Sequence, residues 1–335
     1  MARLNRKLMS TLVLAAMLLQ SVGSATSAPA RASALQQVTI SMGYVPDIQF
    51  APFYVAVAKG YYAAAGISVH FDYAQTSDVI ALVGANKIEF GDAEPDQVIV
   101  GAAHKLPIVS VLTQYARFPV VIFSLASSNI RSFADLKGKT IGIPALYGAS
   151  YTGLVAALQA VHLSVNDVKL SAIGYAQVAA VAQHQVDAAV GFAMNEPIQL
   201  EQEGAKVSVL PITTEVPLIG PGVITSQTVI AQDPSLVRRF VQATWLGLRD
   251  TNANPAAALS LSRSALSAIP QSQLGAQLAK LKAAVSYWTP LKGQRLGCAV
   301  PASWQATESI LLQQHQIPFP VSVTPLYTNR FLERC

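Results

Sequence analysis

"GYVPDIQFAPFYVAVAKGYYAAAGISVHF", residues 43–71, places a loop, a helix and a strand directly after a first strand. The β-rich run 38–42 stops at Gly43, a polar and aromatic stretch follows, and the apolar segment 51–59 closes on Gly60. A second strand is expected at 69–73, after Gly66. Strands alternating with short helices are the pattern of βαβ units in a parallel sheet. Tyr44, Asp47, Gln49 and Phe50 therefore fall at the carboxyl end of a strand where a helix begins, the place where open α/β sheets hold ligands.

The same alternation continues outward. Helices are expected at about 77–85 and 95–104, with strands at 88–90 and 108–112. The texture changes near Ser127 to Asn129, and a second set begins: a strand at 140–143, a long helix capped by Ala149 or Ser150, a strand at 170–174, a helix at 177–184 and a strand at 188–190. Asp233-Pro234 then opens a strongly amphipathic helix, "DPSLVRRFVQATWLGLRDT". The fold class is α/β. Two such sets with crossings near 125 and 222 imply two lobes and a cleft: 35–126 and the return segment 222–335 as lobe one, and 127–221 as lobe two.

Residues 1–34 read as a signal peptide. Arg3, Arg6 and Lys7 precede an apolar core at 11–19 that is short for a membrane anchor, and Ala32-Ser33-Ala34 forms a cleavage pattern. With no cysteine there to carry a lipid, the mature chain is expected to be exported, periplasmic or extracytoplasmic, and soluble. The leader holds four of the 23 basic residues and none of the 18 acidic ones, so the remainder is close to neutral. That balance gives no reason to expect nucleic acid as a partner. Cys298 and Cys335 lie late in the chain, and in an exported protein they can pair. The five histidines are scattered without metal-ligand spacing, and "GASYTG" lacks the G-x-S-x-G arrangement of a nucleophile elbow. No phosphate loop or dinucleotide fingerprint is present, so no metal, cofactor or catalytic residue is expected.

"YVPDIQFAPFYVAVAKGYYAAAGISV", "ALVGANKIEFGDAEPDQVIVGAAHKLPIVSV", "FADLKGKTIGIP", "GASYTGLVAAL", "AAVGFAMNEPIQL" and "DPSLVRRFVQATWLGL" together resemble the NMT1/THI5-like solute-binding proteins of ABC importers. Within that group, "GYVPDIQFAPFYVA", "GASYTGL" and "NEPIQL" look closest to the riboflavin-type, RibY-like receptors. The resemblance implies a two-lobed periplasmic-binding-protein type II fold with its ligand between the lobes. It also implies a monomeric receptor that passes a small molecule, riboflavin or a related heterocycle, to an ABC permease. Receptors for a thiamine pyrimidine precursor or for an alkanesulfonate or nitrate-type anion are the alternatives within the group. An exported enzyme is the alternative from another class. The pyrimidine-making branch of the family uses iron and pyridoxal phosphate and carries a cysteine-rich iron motif, whereas this chain has two late cysteines.

The expected contacts follow residue by residue. Tyr44 and Phe50 supply flat surface, and Asp47 and Gln49 read a polar edge; Phe53 reads as a core residue, on one side with Val57. Thr76 and Ser77 combine helix capping with ligand contact. Asp92 sits just past a strand, while Glu94 or Asp96 reads as an ordinary cap. Tyr115 forms another wall, beside Arg117 and Phe118. In the second lobe Gly148 can take a positive φ and turn the amides of Ala149 and Ser150 toward the cleft, flanked by Tyr147 and Tyr151. No Arg or Lys lies near this loop, which suits a neutral ring better than a small anion. Tyr175 and Gln177 follow a strand. Asn195 can pair with an imide edge, and Glu196 either meets donors on the ligand or caps the next helix.

Overall fold

Two five-stranded sheets organise the chain. The computed structural model describes residues 34–73, 76–212, 218, 220–333 and 335, so the expected leader lies outside the described residues apart from Ala34. In chain order the first part runs β1 (Gln36–Ser41), α1 (Ala51–Ala58), α2 (Tyr61–Ala64), β2 (Ile67–Asp72), α3 (Thr76–Gly84), β3 (Phe90–Ala93), α4 (Pro95–Ala103) and β4 (Ile108–Thr113). The second part is β5 (Val120–Leu125), β6 (Thr140–Ile143), α5 (Gly148–Ala160), β7 (Lys169–Ala172), α6 (Gln177–Ala182), β8 (Ala188–Phe192), α7 (Glu196–Gln202) and β9 (Val207–Pro211). The return comprises β10 (Gly222–Ser226), α8 (Gln227–Gln232), α9 (Pro234–Ala253), α10 (Pro255–Leu261), α11 (Leu274–Trp288) and α12 (Pro301–Gln313). Among the described residues no helix is long and apolar enough to cross a membrane.

The strand orders are β2-β1-β3-β10-β4 and β7-β6-β8-β5-β9. Each sheet has a parallel trio and an inserted strand, β10 or β5, that runs antiparallel to both neighbours. The chain thus crosses to the second sheet before β5, earlier than the crossing expected near 125. The physical reason is pairing at a distance: Val121 lies opposite Gly191 on one side and Pro211 on the other. The crossing back lies between β9 and β10.

The first lobe is built around α1 and α9. In α1, residues Ala51, Phe53, Val55 and Ala56 are all buried, while Val57, one turn beyond Phe53 near the end of the helix, is exposed. Asp233 caps α9, its carboxylate accepting from the Leu236 amide at 2.8 Å. The apolar side of α9 then meets the sheet and α1: Phe240 stacks on Phe90 with centroids 3.9 Å apart, and the Tyr62 hydroxyl bonds Thr244 Oγ1 at 2.7 Å. The C-terminal segment is knitted to the same lobe. Trp304 of α12 is fully buried and stacks on Tyr327, while Ala299 and Asn329 exchange hydrogen bonds of 2.8 and 3.1 Å. Cys298 and Cys335 form a disulfide with their Cα atoms 5.8 Å apart.

An electrostatic knot joins α9 to the helix pair α1–α2. Asp250 receives Lys59 Nζ at 2.5 Å, Arg249 at 2.7 Å and the Tyr61 hydroxyl. Burial works against its charge, but the bonds from Lys59, Tyr61 and Arg249 outweigh it and bring the carboxyl down to about 2. A carboxyl whose folded pKa is depressed adds stability above its unfolded value, and that share disappears as pH falls through the folded one. Asp250→Asn is therefore expected to flatten the stability profile between about pH 4 and pH 2. Thermal unfolding at stepped pH reads this, and a profile parallel to the parent's refutes the assignment.

Candidate functional site

The loops at the carboxyl ends of β1, β3, β6, β7 and β8 converge on one cavity of about 280 Å³ between the sheets, at the lower edge of what holds a drug-sized ligand. From β1, Gly43 takes φ 67° and turns the chain away from the sheet. The following stretch winds into a short 3-10 turn at Ile48–Phe50 that feeds α1. This brings Tyr44, Gln49 and Phe50 to the cavity wall. Gln49 is fixed from behind, its carbonyl accepting from Gln114 Nε2 at 3.1 Å and its Oε1 from the Tyr115 hydroxyl at 3.5 Å.

Asp47 is not part of that wall. Its Oδ1 caps the 3-10 turn, accepting from the Gln49 amide at 2.9 Å, and its Oδ2 lies 3.8 Å from Lys280 Nζ. An acceptor two residues ahead of a tight turn is drawn to the turn's own orphan amides. Asp92, by contrast, does line the cavity, with Glu94 and Gln97 beside it. Asp92 is 7% exposed and its Oδ1 has no partner. Burial, and then the neighbouring charge of Glu94, push its carboxyl well above the usual range. Tyr115 is buried against Trp288 at 5.8 Å and still reaches the cavity, whereas Arg117 turns outward to the Ser286 carbonyl and the Tyr287 ring.

The opposite wall comes from the second sheet. Gly148 adopts φ 75°, and Tyr147 rather than Ala149 or Ser150 is the N-cap of α5. Gly148, Ala149 and Ser150 form its first turn and face the cavity with Tyr147. Tyr151 does not: the helical advance turns its ring to pack, partly buried, against the second lobe's core. Gly174, Tyr175 and Gln177 follow β7, and Phe192 ends β8 with Asn195 and Glu196 after it. Asn195 is the N-cap of α7 without a side-chain bond, and it keeps Oδ1 without a partner. Glu196 folds back under β8 to accept from the Phe192 amide at 2.8 Å. Gly191 makes that possible, since a Cβ there would lie 2.6 Å from Glu196 Oε2. Burial raises the Glu196 pKa, and the Phe192 amide and Lys280 offset it only in part.

The two walls meet at an aromatic contact, Tyr44 against Tyr175, edge to face at 4.9 Å. Behind the cavity, α5 is tied to the first lobe. Thr152 Oγ1 donates to Asp96 Oδ2 at 3.0 Å, while Gln316 Nε2 reaches Thr152 Oγ1 and Gln314 Nε2 reaches Thr152 O, each at 3.2 Å.

Of the expected contacts, the cavity gathers Tyr44, Gln49, Phe50, Asp92, Tyr115, Tyr147, Gly148, Ala149, Ser150, Gln177, Asn195 and Glu196. Asp47 and Tyr151 are elsewhere, and the side chains of Thr76 and Ser77 lie outside the described residues. Glu94, assigned to capping, is a wall residue, and Phe192, Pro144, Ala145 and Pro221 went unnoticed. The rule that ligands sit past strand ends would have found Phe192 and Pro144.

Residues 47–258 match the family described as NMT1/THI5 like. The chain is 41% identical, over 92% of its own length and 90% of the relative's, to the riboflavin-binding protein RibY of Chloroflexus aurantiacus. It is 26% identical to the 4-amino-5-hydroxymethyl-2-methylpyrimidine phosphate synthase of Legionella pneumophila, over 69% of this chain and 74% of that one. The alkanesulfonate-binding protein SsuA of Xanthomonas axonopodis pv. citri, solved with MOPS, superposes with a TM-score of 0.68 at 17% identity, covering 88% of this chain and 98% of its own. The architecture is the type II periplasmic-binding-protein fold.

Proposed function

The chain belongs to the NMT1/THI5-like family, and from that premise we propose that it is the extracytoplasmic substrate-binding component of an ABC importer. It captures a flat heteroaromatic vitamin, riboflavin in first place, and hands it unchanged to a membrane permease. The observation that carries this reading is the cavity wall, where Tyr44, Tyr115, Tyr147 and Tyr175 from both lobes surround a polar edge of Gln49, Asp92 and Asn195. Rings for stacking with a few placed polar groups are what a planar, hydrogen-bonding ligand requires. The near full-length similarity to a riboflavin-binding protein supports the choice of ligand.

Titration of the purified protein with riboflavin is expected to quench flavin fluorescence to a one-to-one endpoint. Tyr147→Ala combined with Asn195→Ala should weaken binding by about 10- to 100-fold, as loss of an aromatic contact and a buried hydrogen bond predicts. Unquenched flavin removes riboflavin from this reading and leaves a pyrimidine precursor or an alkanesulfonate as the next ligands to titrate. Chemical conversion of the bound flavin would instead mark an enzyme.

A further inference from the structure

Among the described residues that line the cavity, none is Lys, Arg or His, while three are acids: Asp92, Glu94 and Glu196. Asp92 and Asn195 are each more than nine-tenths buried, and each keeps an Oδ1 without a partner. A buried acceptor left unmet is costly, so a ligand that fills this space must bring hydrogen-bond donors. Hydroxyl and N–H groups do so. A phosphate monoester at neutral pH brings acceptors and about two negative charges.

Lys280 offsets the burial of Glu196 only in part. Lys280 faces Asp47 and is not on the cavity wall. The first turn of α5 does offer amides to an anion, and a helix N-terminus is worth roughly half a positive charge. Against a dianion set beside Glu94 in a cavity whose wall carries no cationic side chain, that is insufficient.

We infer that the cavity selects an unphosphorylated, hydroxyl-bearing flavin against its phosphate monoester. Asp92 and Asn195 take the donors of the sugar-alcohol chain, and the acidic rim of Glu94 and Glu196 repels a terminal phosphate. This inference rests on the flavin reading above.

The test is a side-by-side fluorescence titration of the full chain with riboflavin and flavin mononucleotide at one ionic strength. The mononucleotide is expected to bind at least about 100-fold more weakly, as like charges held together at an interface dictate. Glu94→Gln should narrow that gap by about 10-fold by removing one negative charge, and separately Asp92→Asn should narrow it by a similar factor by exchanging an acceptor oxygen for a donor, which weakens riboflavin itself. Glu94→Gln keeps the test open if the more deeply buried change at Asp92 prevents folding. Equal affinity for both flavins, or preference for the mononucleotide, overturns the selectivity while the flavin reading stands. A gap that neither variant narrows overturns the role given to the acids. Binding of neither flavin overturns the flavin reading and this inference with it.

Discussion

Gly247→Ala is expected to destabilise the protein by about 3 kcal/mol, lowering the unfolding midpoint by roughly 5 °C. Gly247 lies in the middle of α9 where that helix crosses α1. A Cβ there would overlap the Pro52 carbonyl and come within 3.0 Å of the Ala56 Cβ. Neither neighbour can rotate away, because one is backbone and the other is a methyl anchored on a buried helix. Relief requires the helices to separate, which loosens the Phe90–Phe240 stack and the Tyr62–Thr244 bond together. Gly275→Ala is the control. Gly275 lies in α11, where an added methyl group would meet nothing within 4 Å, so the same change should stabilise by about 0.5–1 kcal/mol. Thermal unfolding of the two variants should move in opposite directions, and a neutral Gly247→Ala would mean that α1 and α9 are not in this contact.

Removing the disulfide has a comparable effect. Cys298 and Cys335 close a loop of sequence separation 37, and the chain-entropy account assigns such a cross-link about 3–4 kcal/mol. The loop encloses α12 and the tail whose Tyr327 bridges to Ser110, close to the bridge between Gly297 and Thr113. Cys298→Ser with Cys335→Ser should therefore lower the midpoint by about 5–6 °C and expose the tail to proteases before the rest of the chain. An unchanged midpoint under reducing conditions would show that Trp304, Tyr327 and Phe331 hold the tail without the bond.

What the sequence revealed, and what it hid, divides along physical lines. Local signals were readable: Gly43, Gly60 and Gly148 mark turns that need positive φ, and Asp233-Pro234 marks the start of α9. The strand-end rule located most of the cavity wall before any geometry was known. Strand β5 escaped because its run, Val120 to Phe123, is buried on both faces and shows no alternation. Its place in the second sheet depends on partners far along the chain, such as Gly191 and Pro211 opposite Val121, which no local pattern encodes. Asp47 and Tyr151 were misplaced for a finer reason. One is claimed by a tight turn, and the other lies one residue too far along α5, where a step of about 100° decides between cavity and core. Glu94 holds the N-cap position of α4, as an acid ahead of a proline-led helix suggests, but makes no side-chain cap bond there and lines the cavity as well.

The bonds at Thr152 lie behind the cavity and reach its wall through the backbone of α5 and through Gln97, whose amide also bonds Asp96 Oδ2. Each is worth about 1 kcal/mol, and together they favour the bridged arrangement by a fixed amount whatever the cavity contains. Under the proposed receptor role, the wall would set which ligand binds, and the clasp on the far side of α5 would lengthen the stay of any of them. Substitutions at Gln314 or Gln316 should tune how quickly cargo is surrendered without altering which cargo is chosen.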